Sequence, residues 1–318
     1  MSRRGISMPH GLKLAALLHF LFLIANIGGA TTTCVFKTTA NTMTLAKDCT
    51  TDSTIQVPAG FTLNGAKHLI TVIDPLGGNF VGPVVTNQVL NSTINVQNLI
   101  IDMPNLSTGN CAFIQGIALN EASGTISGNT ILHVTQSGYC PETGTGILVR
   151  EAFDAPPQTV TISNNSVLQA SGQALSLSGP ITATVTGNEF SINNLGSQAV
   201  VFGAFHGSFS GNTIETDPNG QFGQEAFVIF NNMSQVKIAS NTINLIGGNA
   251  AYGIDLFIAA QPVVVSGNRV FNHGNGANGV GIYNGSSANT ITKNEIRCYQ
   301  TPIAGPGGKG NVTLPCPF

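Results

Sequence analysis

Gly124-Thr-Ile-Ser-Gly-Asn-Thr-Ile131 decides the reading of this chain, because close variants of it return towards the C-terminus. Val160-Thr-Ile-Ser-Asn-Asn-Ser-Val167, Ala183-Thr-Val-Thr-Gly-Asn-Glu-Phe190, Val236-Lys-Ile-Ala-Ser-Asn-Thr-Ile243, Val263-Val-Val-Ser-Gly-Asn-Arg-Val270 and Asn289-Thr-Ile-Thr-Lys-Asn-Glu-Ile296 share its order of apolar, polar and Asn positions. Ser208-Phe-Ser-Gly-Asn-Thr-Ile214 is a shortened copy. The unit's Asn falls at Asn129, Asn165, Asn188, Asn212, Asn241, Asn268 and Asn294, in steps of 36, 23, 24, 29, 27 and 26 residues, and a weaker copy ends at Asn98. Periods of roughly 20 to 50 residues signal a solenoid. Each unit alternates like a short strand, turns at Gly/Asn and resumes with an apolar residue, without a helical period. That pattern predicts one coil of a parallel β-helix. An Asn at the same corner of every coil can stack its amide on the next and tolerates a left-handed backbone.

A second short apolar strand precedes each unit: Gly116-Ile-Ala-Leu119, Gly146-Ile-Leu-Val149, Ala174-Leu-Ser-Leu177, Ala199-Val-Val-Phe202, Ala226-Phe-Val-Ile229, Gly253-Ile-Asp-Leu256 and Gly281-Ile-Tyr-Asn284. With these strands and the constant corner, the chain from about Phe61 to Arg297 resembles the right-handed parallel β-helix superfamily, the pectate-lyase-like proteins. The resemblance implies an all-β, single-stranded right-handed parallel β-helix of eight or nine coils. Its members include polysaccharide lyases, hydrolases and epimerases, but also adhesins and noncatalytic repeats, so it speaks to fold more than to function.

Before the repeats, Arg3, Arg4 and Lys13 form a basic n-region, Leu14 to Ile27 an apolar stretch, and Gly28-Gly29-Ala30 a small-residue cleavage site. We expect residues 1–30 to be a signal peptide, 31–60 an N-terminal cap, 61–297 the β-helix and 298–318 a C-terminal cap. The mature chain is then secreted, with no membrane attachment after cleavage. Removing those three basic residues from 12 leaves 9 against 14 acidic ones, a sparse charge of the wrong sign for gripping nucleic acid or an acidic polysaccharide.

Six cysteines in a secreted chain are read first as disulfides. Spacing suggests Cys34 with Cys49, Cys111 with Cys140 and Cys298 with Cys316, the first and last stapling the exposed ends of the solenoid. No Cys or His pattern matches a metal site, no carboxylate cluster near Glu215, Asp217 or Glu225 is dense enough for Ca²⁺, and no cofactor is implied. Sequons at Asn91, Asn105, Asn164, Asn232, Asn284 and Asn311 would mark outward loops if glycosylated.

The inside of each coil is filled by apolar residues, so chemistry belongs on the outer walls. Placing Ile117, Ile147, Leu175, Val200, Phe227, Ile254 and Ile282 inward puts Ala118, Leu148, Ser176, Val201, Val228, Asp255 and Tyr283 in one outward column. Two residues on, Asn120, Arg150, Ser178, Gly203, Phe230, Phe257 and Gly285 make another. Leu148, Val201, Val228, Phe230, Phe257 and Tyr283 form an apolar outward patch that needs a cover: the chain's own loops, an apolar ligand or a second copy in a homo-oligomer. Asp255 among those residues should have a raised pKa suited to acid–base catalysis, with Tyr283 beside it. Glu121, Arg150 and Glu151 on neighbouring coils offer a second acid, base and charge-stabilising set. His133, His206 and His273 lack ligand spacing, and Arg269 and Arg297 lie on another wall.

The chain contains no Arg-x-Pro-x-x-Arg, Asp-Pro-His-Glu, Gly-x-Ser-x-Gly or His-Glu-x-x-His pattern, and no paired-Asp constellation of the polygalacturonase kind. No catalytic residue is therefore carried over from a family. Three functions stand: a lyase, hydrolase or epimerase on a glycan of low charge, favoured by the resemblance; an isomerase, cyclase or binder for an apolar small molecule, using the apolar patch and Asp255; or a noncatalytic interaction protein.

Overall fold

The computed structural model describes residues 32–104, 106–107, 113–134, 143–152, 155–193, 198–217, 225–245, 252–257, 262–273 and 279–316, apart from the side chains of 202, 204, 205 and 230–235. The described residues form strands stacked in parallel ladders, one sheet of 18 strands and one of 11. The larger sheet covers two walls, joined where the long strands Gln173–Thr186, Gln198–Ser210 and Glu225–Ala239 run from one wall to the next. The smaller sheet is the third wall, from Cys49–Thr51 to Val312–Leu314. Each coil thus has three walls; the polar–apolar pair after each repeat Asn is itself part of a rung, such as Thr130–Leu132 or Thr242–Leu245. Both expected caps join the ladders, through Thr42–Leu45 on Thr62–Asn64 and through Glu295–Arg297 on Val312–Leu314. The coil count is slightly different from the eight or nine expected.

Isoleucine, valine, leucine and phenylalanine fill the coil. Ile117, Ile147, Leu175, Val200, Phe227, Ile254 and Ile282 are all inaccessible, in the inward register expected. Phe190, Phe209 and Phe227, from three strands, meet inside, the first pair stacked with centroids 6.2 Å apart and the second edge to face at 4.9 Å.

The repeat asparagines form a buried ladder. From Asn129 to Asn294 none is more than 2% exposed. Each Nδ2 donates to the Oδ1 of the next at 2.9–3.1 Å, and the same Oδ1 accepts the preceding asparagine's backbone N–H. The other Nδ2 proton reaches a backbone carbonyl of the coil, such as Val185 O for Asn212. The residue before each Asn turns the corner with positive φ, from 54° to 67° at Gly128, Asn164, Gly187, Gly211, Ser240, Gly267, Lys293 and Gly310, a conformation cheapest for Gly and Asn. Asn98 occupies this corner position, with φ 55°, and Leu99 stands in the ladder's first place, donating its N–H to Asn129 Oδ1. The ladder ends instead at Asn311, which accepts from Asn294 at 3.0 Å.

Cys34 and Cys49 are bonded beside the N-terminal hairpin Phe36–Thr39 and Thr42–Leu45. The expected Cys298–Cys316 bridge is not formed. The pairing of their strands makes them neighbours as free thiols, and burial together with Cys316 pushes the Cys298 thiol up to about 11. Cys111, Cys140 and residues 1–30, the expected signal peptide, lie outside the described residues.

Replacing Asn212 with Ala strips a donor and an acceptor from the middle of the ladder and leaves Asn188 N–H and Asn241 Oδ1 short of partners. With each orphaned buried group costing about 1–3 kcal/mol, Asn212→Ala should lose about 3 kcal/mol or more in chemical denaturation. Asn244→Ala, on the outer face beside Glu215, should lose about 1 kcal/mol or less.

Candidate active site

One position in each coil lets two outward columns meet. Gly116, Gly146, Ala174, Ala199, Ala226, Gly253 and Gly281 precede the inward apolar residues, and the register steps over this position in rung after rung: Gln198 pairs with Glu225 and Val200 with Phe227, then Glu225 with Tyr252 and Phe227 with Ile254. The position points inward, as a Cβ on Gly253 would stand 2.4 Å from Val270 Cγ1 and one on Gly281 2.5 Å from Ile296 Cγ2. Only Gly or Ala fits there. Two consecutive inward residues bend the strand, and the side chains on either side of the bend meet outside it.

Gln198, Glu225 and Tyr252 make up the column before the bend, and Val201, Val228, Asp255 and Tyr283 the column after it. Gln198, Glu225, Tyr252, Asp255, Phe257 and Tyr283 line a cavity of about 390 Å³. The Tyr252 and Tyr283 rings meet edge to face with centroids 6.2 Å apart. Gln198 Nε2 donates to Glu225 Oε2 at 2.7 Å. Asp255 is 6% exposed, and its Oδ1 has no hydrogen-bond partner. Burial, and then the Glu225 charge, push the Asp255 carboxyl up to about 6. Burial raises Glu225 as well, opposed by the Gln198 hydrogen bond. The two carboxyls thus differ in environment: one is held by an amide donor and the other is unpartnered.

Of the site residues read from sequence, Asp255, Tyr283 and Phe257 come together here. The column Leu148, Ser176, Val201, Val228, Asp255, Tyr283 is in the expected register. It is not an open apolar wall, since Val228 is inaccessible and Val201 8% exposed; only Leu148, half-buried, offers apolar surface below Asp255. The next column breaks where the register shifts after Phe202 and pairs Gly203 with Asn231, so Phe230 does not align with Gly203; its side chain lies outside the described residues. Strict alternation counted forwards from Ile254 does not reach Glu225, Gln198 and Tyr252, which lie on the other side of the Gly/Ala position. Their signal is the Gly/Ala position itself, which puts the residue before it outward.

Arg150 and Glu151 sit at another place, four rungs or about 19 Å down the ladder from Asp255, and Glu121 lies one rung further. Glu151 is buried, accepts the Gln158 N–H at 3.2 Å and keeps Oε1 unpartnered; burial first, then Glu121, raises its carboxyl. Among the described residues no ion pair joins exposed Arg150 to either glutamate, and Asp154 lies outside them. On the outer face of the third wall, Arg269 and Arg297 bracket Glu295 and lie over the Phe271 ring, and His133 pairs with Asp102 at 2.8 Å. Among the described residues no group of three or more His, Cys, Asp or Glu is placed to hold a metal ion, and no helix is long and apolar enough to cross a membrane.

Residues 115–296 match the family described as the right handed beta helix region. No curated protein sequence matches the chain. Among solved structures, the tailspike protein of E. coli bacteriophage HK620 in complex with pentasaccharide is similar at 12% identity and a TM-score of 0.56, over 86% of this chain and 58% of that one. This chain therefore spans little more than half the tailspike's length. A mutant of the periplasmic alginate epimerase AlgG is similar at 9% identity and a TM-score of 0.50, over 86% of this chain and 84% of that one. At such identities the likeness is one of fold.

The raised Asp255 pKa has a measurable effect on stability. An acid whose folded pKa, about 6, exceeds its ordinary 3.8 holds more protons folded than unfolded between those values, so its contribution is full below pH 4 and is lost as pH rises through 6. Asp255→Asn should therefore flatten the fall in stability between pH 4 and 6. Above pH 6 it should be more stable than the parent by on the order of 2 kcal/mol, read from melting temperature against pH.

Proposed function

The chain belongs to the right-handed beta-helix family, and on that footing we propose that it hydrolyses a glycosidic bond in a glycan, with Asp255 as general acid and Glu225 as the second carboxylate. The observation that carries this reading is the Asp255 carboxyl, buried, unpartnered and raised to about 6 on the wall of a cavity. A carboxyl that keeps its proton up to about pH 6 can give it to a leaving oxygen, and its neighbour Glu225, which accepts a hydrogen bond from Gln198, faces, once ionised, the positive charge that develops at the anomeric carbon. Asp255 then protonates the glycosidic oxygen as the C–O bond breaks, and water adds to the anomeric carbon and loses a proton to a carboxylate. Tyr252, Tyr283 and Phe257 supply the aromatic faces on which sugar rings pack.

Hydrolysis is favoured over the lyase and epimerase chemistries because those act beside a uronate carboxylate whose charge must be neutralised. Among the described residues, those lining the cavity include two carboxylates and no Lys, Arg or His. The apolar small-molecule reading loses support with the burial of Val201 and Val228. Secretion is part of the proposal, supported by the basic and apolar N-terminal sequence and by the Cys34–Cys49 bond, which belongs to oxidising compartments. If the protein is glycosylated, exposed Asn91 and Asn164 are the better acceptors. Asn284 is buried on Pro306 O, and Asn311 is engaged by the ladder.

Screened by the appearance of reducing ends on neutral and amino-sugar oligosaccharides, the parent should turn over one class, with activity falling above about pH 6 as Asp255 ionises. Asp255→Asn and Glu225→Gln should each lose about 100-fold or more in kcat while melting no lower than the parent at pH 7. Turnover by Asp255→Asn at the parent's rate would remove the general acid and this reading with it.

A further inference from the structure

We propose that the cleft recognises a protonated amine, presented on a 2-amino-2-deoxy sugar. The inference rests on the glycan reading above and names its substrate class. The lining consists of two carboxylates, three aromatic rings and one amide. Gln198 donates one hydrogen bond to Glu225, and no basic side chain among the lining residues balances either acid. Asp255 lines the cavity with a carboxyl that is short of a donor, so a ligand N–H that meets this carboxyl supplies what it lacks. Tyr252 and Tyr283 stand at 84° to each other, so their rings form two sides of a corner, and Phe257, 54% exposed, lines the same cavity. Carboxylates set among π faces are the environment an ammonium group prefers, since ring quadrupole and charge both attract it and neither suits an anion.

The same groups explain why the amine belongs on a sugar at its second carbon. A carboxylate placed to meet positive charge at the anomeric carbon is also near the substituent on the adjacent carbon. An ammonium there answers the charge of Glu225, which is one of the two causes of the raised Asp255 pKa; burial, the larger cause, remains. Binding should therefore lower the Asp255 pKa part of the way and release a fraction of a proton near pH 6.

The test is calorimetry at pH 6 with a glucosamine tetramer, the matching N-acetylglucosamine tetramer and spermidine, on the parent, Glu225→Gln and Tyr252→Leu. The glucosamine tetramer should bind at least about 10-fold more tightly than the acetylated one, with a binding heat that varies linearly with buffer ionisation enthalpy and so reports the proton released. Glu225→Gln should lose about 10-fold for the glucosamine tetramer and little for the acetylated one. Tyr252→Leu, which leaves both carboxylates in place, should weaken the glucosamine tetramer too. Equal or tighter binding of the acetylated tetramer overturns the amine and leaves glycan recognition standing. Spermidine binding as tightly as the glucosamine tetramer overturns the sugar, and with it the glycan reading. No binding of either tetramer overturns both.

Discussion

A buried column of side-chain amides runs the length of this molecule, and the arrangement of everything else follows from it. A parallel β-helix must turn its backbone inward at every corner, and the N–H and C=O groups there lose water without meeting a strand partner. Asn129 to Asn294 meet that need in series, because an amide offers two donors and an acceptor that takes two. Each residue also locks the next coil to the same corner, so the rungs cannot slip by one residue without leaving several buried groups unpaired. Register along the outer walls is a consequence. Asp255 lies above Val228 and below Tyr283 because Asn241 lies above Asn212 and below Asn268.

The second constraint is steric. At the Gly/Ala position the backbone of the first wall comes so close to the third wall that a Cβ on Gly253 or Gly281 would collide with Val270 or Ile296. The strand bends there, and the outer surface gains a place where residues three apart in one strand face the same space. Tyr252 and Asp255 are such a pair, and Glu225 and Val228 the pair below. Chemistry on a flat wall would be open to water; in this bend the Asp255 carboxyl is desolvated enough to hold its proton to about 6.

Glu151 shows that burial alone does not make a site. Its carboxyl is as inaccessible as that of Asp255 and is also raised, yet it accepts the Gln158 N–H within a knot of local hydrogen bonds that includes Ser123 and Asn91. Asp255 faces a cavity with aromatic walls and a second carboxylate. What surrounds the acid, more than how deeply it lies, separates a structural carboxyl from one placed to act on a ligand.

The repeat of Asn and alternating apolar residues is enough to read the solenoid, its inward register and the unusual position of Asp255, because strand periodicity and a polar corner are local properties of the chain. The Cys34–Cys49 bond was legible for the same reason, its partners being close in sequence. Other features depend on distances between coils. The register shift that removes Phe230 from the Gly203 column, the burial of Val201 and Val228, and the free Cys298 and Cys316 thiols are set by how neighbouring coils sit on one another. Glu225 and Gln198 are visible as letters, but their meeting with Asp255 follows from a bend that exists because two walls of the coil come together at a position small enough, Gly or Ala, to let them. Sequence determined which residues face out; the contact between walls decided which of them face each other.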